Sequence, residues 1–307
     1  MIDVKRKLLK YPFILKEILL NYPNERRNFI KRAGYSLDLD SPQSLNEKIV
    51  WKKIHDRNPL LTISADKVKV RDYVKYILDE EDHNILVPTY FQTDDAGKIP
   101  FDSLPQEYII KANHGSGTNI MITETSNIDT LEIIELCHSW LKQDYAFLNF
   151  EWCYRNITRK ITIDKLLRDK NGELPDDYKF HIIHGKWFFV HINHQKFIEH
   201  RPSLYDREWN KLGVSYKGKI GPEITKPKNL ERMVSIAERL GQYFDYVRVD
   251  LYLCDDDIYF GELTHYPASG SAKYSPVDFD YLVGQQWNLV KNYWKNNGAL
   301  EVYNLLR

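Results

Sequence analysis

The residues most able to do chemistry lie in "VRVDLYLCDDDIYFGELTHYPASG", residues 247 to 270. Its acidic run at 255–257 reads as the turn of a hairpin, which pairs Cys254 with Ile258 and sets Asp250 across from Glu262 and Arg248 across from Thr264. These four side chains, with Tyr252 and Phe260, then share one face, and Val247, Val249, Leu251, Leu253, Tyr259 and Leu263 form the packed face. Two carboxylates facing each other at about 5 Å repel and destabilise the sheet. A cation between them removes that penalty, and Mg²⁺ suits one or two carboxylates completed by substrate phosphates. A solvent-facing pair balanced by Arg248 is the other reading, and the apolar and aromatic flanks favour the site. The following "THYPASG" forms a turn with free N–H groups, suited to an oxyanion.

A second candidate is "YIIKANHGSGTNIMIT", residues 108–123, where Lys111 precedes a small-residue loop and a β-prone run follows. In the P-loop and the dinucleotide fingerprint a helix follows the glycines, and in the P-loop the lysine comes after them. The arrangement here is a strand–loop–strand flap. A lysine on its incoming strand can reach a phosphate beneath it, and a plain hairpin turn with a surface lysine remains open.

The elements that must position these groups are mixed. Helices are expected at 41–56, at 64–78, at 129–143, at 229–244 and at 282–295. Strands are expected at 83–91 and 157–167, and hairpins at 177–194 and 246–266. This order predicts an α+β fold with antiparallel sheet. The chain has 307 residues, 43% of them hydrophobic, and zero formal net charge. It can bury a sizeable core, and no general nucleic-acid binding is expected. Its three cysteines, Cys137, Cys153 and Cys254, show no metal or disulfide spacing, and free thiols in a reducing compartment are expected. No apolar run approaches the roughly 20 residues of a spanning helix.

Two further signals carry less. His181 with His184, and His191 with His194, are three apart, and on strands such pairs point to opposite faces, which argues against a shared metal. The basic start, with Lys5, Arg6, Lys7 and Lys10, reads as a packed helix with a solvated face, or as a contact with an anionic membrane surface. It does not read as a secretory signal.

Taken together, "SLNEKIVWKKIHDR", "ADKVKVRDYV", "YIIKANHGSG", "DYKFHIIHGK" and "RVDLY" followed by "YFGELTHYPASG" resemble the ATP-grasp superfamily. Within it, residues 34–285 look like the TupA-like subgroup, named after a teichuronopeptide biosynthesis protein and linked to surface-polysaccharide synthesis. The resemblance implies two α+β subdomains with antiparallel sheets clasping ATP, after an N-terminal helical region. The limits it suggests are 1–60, 61–165 and 166–307. It implies that Lys111 contacts nucleotide phosphates, that His114, Gly115, Ser116 and Gly117 form the flap, and that Arg71 is another phosphate contact. It places the adenine-binding hinge on "ITIDKLL", with Asp164 and Leu166, the aspartate standing where a glutamate is more usual. Asp250 and Glu262 match its Mg²⁺ ligands, with Thr264 where relatives carry asparagine. Arg248 matches an arginine that stabilises acyl-phosphate chemistry, and Ser269 and Gly270 match the turn that cradles the tetrahedral intermediate. Lys179 and Arg201 are candidates for holding phosphate or the acceptor carboxylate, or are ordinary salt-bridged residues.

The activity so implied is an ATP- and Mg²⁺-dependent carboxylate–amine ligase in the cytoplasm. It would join an amine or amino acid to a carboxylated sugar, with an acceptor loop near 195–225. The alternatives are a kinase-type transferase or glycosyltransferase, for which no "HRD" or "DFG" is present, and a non-catalytic nucleotide-binding partner.

Overall fold

The computed structural model describes residues 12, 14–126, 129–194 and 201–307. The basic start through Lys10, and part of the acceptor loop, therefore lie outside the described residues. Helices α1 (Pro23–Ala33), α2 (Leu45–His55), α3 (Leu60–Ala65) and α4 (Val70–Ile77) come first. Helix α2 begins at a capping box: Ser44 accepts from the Glu47 N–H, and Glu47 accepts from the Ser44 N–H at 2.9 Å. The single helix expected at 64–78 is broken. Asp66 accepts from the Val68 N–H at 2.9 Å and from Asn113 at 2.8 Å, which turns the chain out of α3 before α4 starts.

A four-stranded antiparallel sheet follows, from β1 (Thr89–Thr93), β2 (Tyr108–Ala112), β3 (Asn119–Ile122) and β4 (Ile161–Lys165), in the order β1-β4-β2-β3. Helix α5 (Thr130–Lys142) covers one face, where Tyr108, Ile110, Ile161 and Ile163 pack with Cys137 and Trp140. Strand alternation sends Ile109, Lys111 and Asp164 to the opposite face. A short helix, α6 (Tyr145–Leu148), leads back toward β4.

The second sheet has β5 (Asp176–Ile183), β6 (Lys186–Asn193), β7 (Pro202–Tyr205), β9 (Tyr246–Cys254) and β10 (Asp257–Thr264), in the order β10-β9-β5-β6-β7. A two-stranded ribbon joins β8 (Ser215–Tyr216) to β11 (Tyr274–Ser275). Helix α7 (Leu230–Gly241) buries Met233, Ile236, Ala237 and Leu240 in the same cluster as Phe180, Val247, Val249 and Leu251. The tail departs from expectation. Helix α8 (Asp278–Gln286) stops because Trp287 is fully buried, its indole donating to Asp245 at 3.1 Å, and α9 (Ala299–Leu306) then closes the chain.

All three cysteines are buried and free. Among the described residues no helix is long and apolar enough to cross a membrane.

Candidate functional site

The β9–β10 hairpin builds the centre by two departures that cancel. Its turn holds only Asp255 and Asp256, so Cys254 pairs with Asp257, one residue away from the expected register. A bulge at Gly261 then restores the count, and Asp250 faces Glu262 while Arg248 faces Thr264, as the sequence suggested. The correction falls on the outer half of the hairpin. Phe260 pairs with Leu251 on the packed face, and Tyr259 joins Tyr252 on the site face.

The carboxylates are not left to repel each other. Arg248 donates to both Asp250 oxygens at 2.6 Å, to Glu262 Oε1 at 3.3 Å and to Thr264 Oγ1 at 2.9 Å. Thr264 in turn donates to Glu262 Oε1 at 2.8 Å. Lys179, across from Asp250 on β5, donates to Asp250 at 2.7 Å and also to Asp177. The chain thus supplies cations of its own to this pair, Arg248 from β9 and Lys179 from the neighbouring β5. Burial would raise the Glu262 carboxyl, but Lys67, Arg248 and Lys179 outweigh it and hold it at about 2. Burial pushes Asp177 up to about 6 against the pull of Lys179.

Lys67 was not singled out from the sequence, although it lies in the quoted "ADKVKVRDYV". It leaves the Asp66 turn, donates to the Gly115 carbonyl at 2.6 Å and stands 4.0 Å from Glu262 Oε2. Burial lowers its pKa and Glu262 opposes that shift. The signal available was its place just after the residue that breaks the helix. Arg71, the second residue of α4, instead donates to the Val87 carbonyl at 2.8 Å.

The flap follows β2. His114 is its buried anchor, hydrogen-bonded to the Trp140 carbonyl at 3.0 Å and near Asn113 at 3.2 Å, while Ser116 and Gly117 are exposed. A Cβ on Gly115 would sit 2.9 Å from the Tyr145 ring, so only glycine lets the loop lie there. Lys111 pairs with Asp164 at 3.3 Å, and Thr89 donates to Asp164 at 2.8 Å. Beside them lies an apolar slot of about 130 Å³, walled by Val87, Ile109, Met121, Leu166 and Tyr252.

A cavity of about 670 Å³ adjoins the carboxylates, lined by Arg248, Glu262, Thr264, Ser116, Ser269 and Glu151 among others. Ala268, Ser269 and Gly270 all have left-handed φ (48°, 55° and 71°). Lys53 donates to Ser269 Oγ at 2.8 Å, and a Cβ on Gly270 would meet Val50 of α2 at 2.7 Å. Arg201 is exposed at the start of β7, with β5 and β6 between its strand and β9, so the fold does not gather it with the carboxylates.

Oxygen donors on one face suit a hard cation. Glu262 is the more available, since both oxygens of Asp250 already accept from Arg248 and, among the described residues, Lys67 alone is ion-paired to Glu262 Oε2, at 4.0 Å. Among the described residues no group of three or more His, Cys, Asp or Glu could cage a metal. Two carboxylates with phosphates completing the shell is the pattern that Mg²⁺ takes, so the donor set fits it.

Glu151 is buried, and desolvation raises its carboxyl to about 7, with Lys53 opposing. Its folded pKa exceeds the ordinary 4.5, so the folded state binds more protons between those values and stability falls as pH rises through them. The thermal midpoint of Glu151→Gln is expected to depend less on pH than wild type between pH 4.5 and 7, as calorimetric melts across that range would check.

A family model described as TupA-like ATPgrasp matches residues 47–288. Among solved structures, the D-alanine–D-alanine ligase of Bacillus anthracis, complexed with ATP, is 15% identical with a TM-score of 0.41, over 79% of this chain and 67% of that one. The Helicobacter pylori D-alanine–D-alanine ligase is 13% identical with a TM-score of 0.42, over 73% of this chain and 60% of that one. The L-amino acid ligase of Bacillus licheniformis is 14% identical with a TM-score of 0.38, over 67% and 42%. No curated protein matches the chain.

Proposed function

The chain belongs to the TupA-like ATP-grasp family, and from that premise we propose that it is an ATP-dependent carboxylate–amine ligase working through an acyl phosphate. The observation that carries the reading is the continuity of one strand face. Tyr252 walls the apolar slot, and Asp250, two residues back on the same face of β9, belongs to the charged cluster. That spacing is about 7 Å along a strand. A purine in the slot would therefore direct its phosphates at Lys67, Lys179 and Arg248.

The cluster holds three cations (Lys67, Lys179, Arg248) against three carboxylates (Asp177, Asp250, Glu262), so it has little charge to spare for a triphosphate. Glu262, with Asp250 and Thr264 behind it, would hold Mg²⁺, which when bound neutralises phosphate oxygens facing an anionic nucleophile. Arg248 would orient the substrate carboxylate and the oxyanion that develops from it. The flap over Ser116 and Gly117 would exclude water from the acyl phosphate, which otherwise hydrolyses. The amine then displaces phosphate and the amide forms.

The family's link to surface polysaccharides supports a carboxylated sugar as acceptor and an amino acid as amine. The expected result is ADP release from ATP and Mg²⁺ that requires both a uronic acid and one of the amino acids. Hydroxylamine should trap the activated carboxylate as a hydroxamate. A stable phosphoester, or consumption of a sugar nucleotide with ATP untouched, would overturn the ligase assignment.

A further inference from the structure

Glu151 raises a question that the nucleotide chemistry does not answer. It is 6% exposed and lines the cavity that Arg248, Glu262 and Ser269 also line. A buried carboxylate ordinarily has a cation beside it. Lys53, the nearest candidate, is itself engaged by Glu25 at 2.7 Å and by Ser269 at 2.8 Å. Among the described residues Glu151 has no ion-pair partner within 4.0 Å. The Ser269 hydroxyl, in the turn that the family resemblance matches to the cradle of the tetrahedral intermediate, hydrogen-bonds the Glu151 carboxylate. A second polar group on the same wall is also unsatisfied. Tyr266 is 4% exposed, lines the cavity, and its hydroxyl has no hydrogen-bond partner among the described residues. A carboxylate lacking a cation on the wall of this cavity, with a phenol on the same wall whose buried hydroxyl lacks a partner, describes a seat for a small cationic group with hydrogens to give.

We propose that this wall is the amine subsite: Glu151 receives the ammonium of a primary-amine substrate and removes its proton, while Tyr266 and Ser269 orient the nitrogen. The inference rests on the ligase reading above. The steps balance. The ammonium gives one proton to the Glu151 carboxylate and becomes a neutral amine. The amine lone pair forms the C–N bond at the acyl carbon as the C–O bond to phosphate breaks. The second proton leaves nitrogen with the departing phosphate, which emerges as hydrogen phosphate. Glu151 then returns its proton to solvent. Burial suits the group to this work, since it holds the carboxyl near neutrality, where a base is half available and still strong enough to act. Positioned general bases typically contribute about 10²- to 10⁴-fold.

The test compares two nucleophiles on one activated carboxylate, with ATP, Mg²⁺ and D-glucuronate present. One is the amino acid giving the highest wild-type turnover, which is an ammonium at pH 7. The other is hydroxylamine, which is largely neutral at that pH and needs no base. Glu151→Gln is expected to lose about 100-fold or more with the amino acid, to keep hydroxamate formation within about threefold, and to recover part of the loss as pH rises toward the amine's own pKa. Tyr266→Phe, which removes one oxygen and no packing, is expected to raise KM for the amino acid about tenfold, the worth of roughly one hydrogen bond, with KM for ATP unchanged. Equal losses with both nucleophiles, or no loss with either, overturn the subsite. Absence of hydroxamate in the wild type overturns the ligase reading itself, a result that the two variants do not produce.

Discussion

Glu262→Gln is expected to lower ATP turnover by about a thousandfold or more while the protein stays folded. A metal's share of transition-state charge stabilisation is several kcal/mol, and each ~1.4 kcal/mol is tenfold in rate. Glutamine keeps the shape and loses the charge. The fold should tolerate it because Arg248 remains bound to Asp250 through two donors when Glu262 is gone. The same change at Asp250 would be less clean, since it would leave Arg248 and Lys179 buried without their main partner. Coupled ADP release together with a circular-dichroism melt would check the prediction. Near-normal turnover in a folded variant would refute the metal role of Glu262.

Lys67→Met should show the second large effect, a fall of about 10- to 100-fold in kcat/KM for ATP, the ~1.5–3 kcal/mol of a charge-assisted hydrogen bond. The contrast with Arg71→Met makes it decisive. Arg71 donates to the Val87 carbonyl on the wall of the apolar slot, so its loss should cost less than about tenfold. A pH signature accompanies the lysine change. After burial, which raises the Glu262 carboxyl, Lys67 is the largest influence holding it down at about 2. Without Lys67 that value climbs toward the ordinary 4.5, and the acid limb of activity moves up with it. The sign for stability agrees. A depressed carboxyl stabilises the fold above its unfolded pKa and loses that stabilisation as pH falls through the folded value, so the variant should show a smaller difference in melting midpoint between pH 2 and 5. Steady-state kinetics across pH, with parallel melts, would decide both points, and equal losses in the two variants would remove the distinction between them.

Much of the architecture was legible because hydrophobic period is a local property. Helices α2, α5 and α7, the β5–β6 hairpin and the strand after the flap lie where their patterns put them. The facing of Asp250 and Glu262 was also legible, although through two local errors that cancelled. A two-residue turn and a glycine bulge are backbone choices, and alternation of side chains does not encode them. The helix of the tail was overextended for a different reason. Its apolar spacing continues past Gln286, but Trp287 leaves the helix to reach Asp245, a partner 42 residues away in sequence.

The site was harder where long-range geometry assigns the partner. Lys67 and Arg71 are both cations at the start of one helical segment, and only the folded turn at Asp66 aims the first at Glu262 and the second at Val87. The family resemblance makes His114 part of the flap, and the fold adds that the Trp140 carbonyl holds its ring. Glu151 carried no signal at all, since a lone glutamate in a loop is unremarkable until its burial is known.

The contact between Gly270 and α2 has a mechanical consequence. Asn46 of that helix donates to the Ala272 carbonyl at 2.7 Å and accepts from the Ala272 N–H at 3.1 Å, and Asp280 accepts from the Asn46 N–H at 3.0 Å. The turn bearing Ser269 is thus bolted to the first helices at closest approach, with no slack for a methyl group. The roof, by contrast, ends in the exposed Ser116 and Gly117. One side of the chamber is packed without slack, and the other ends in two exposed residues. Helix α2 therefore acts as a foundation beneath the cavity, fixed to the 268–272 segment through Asn46 and Val50.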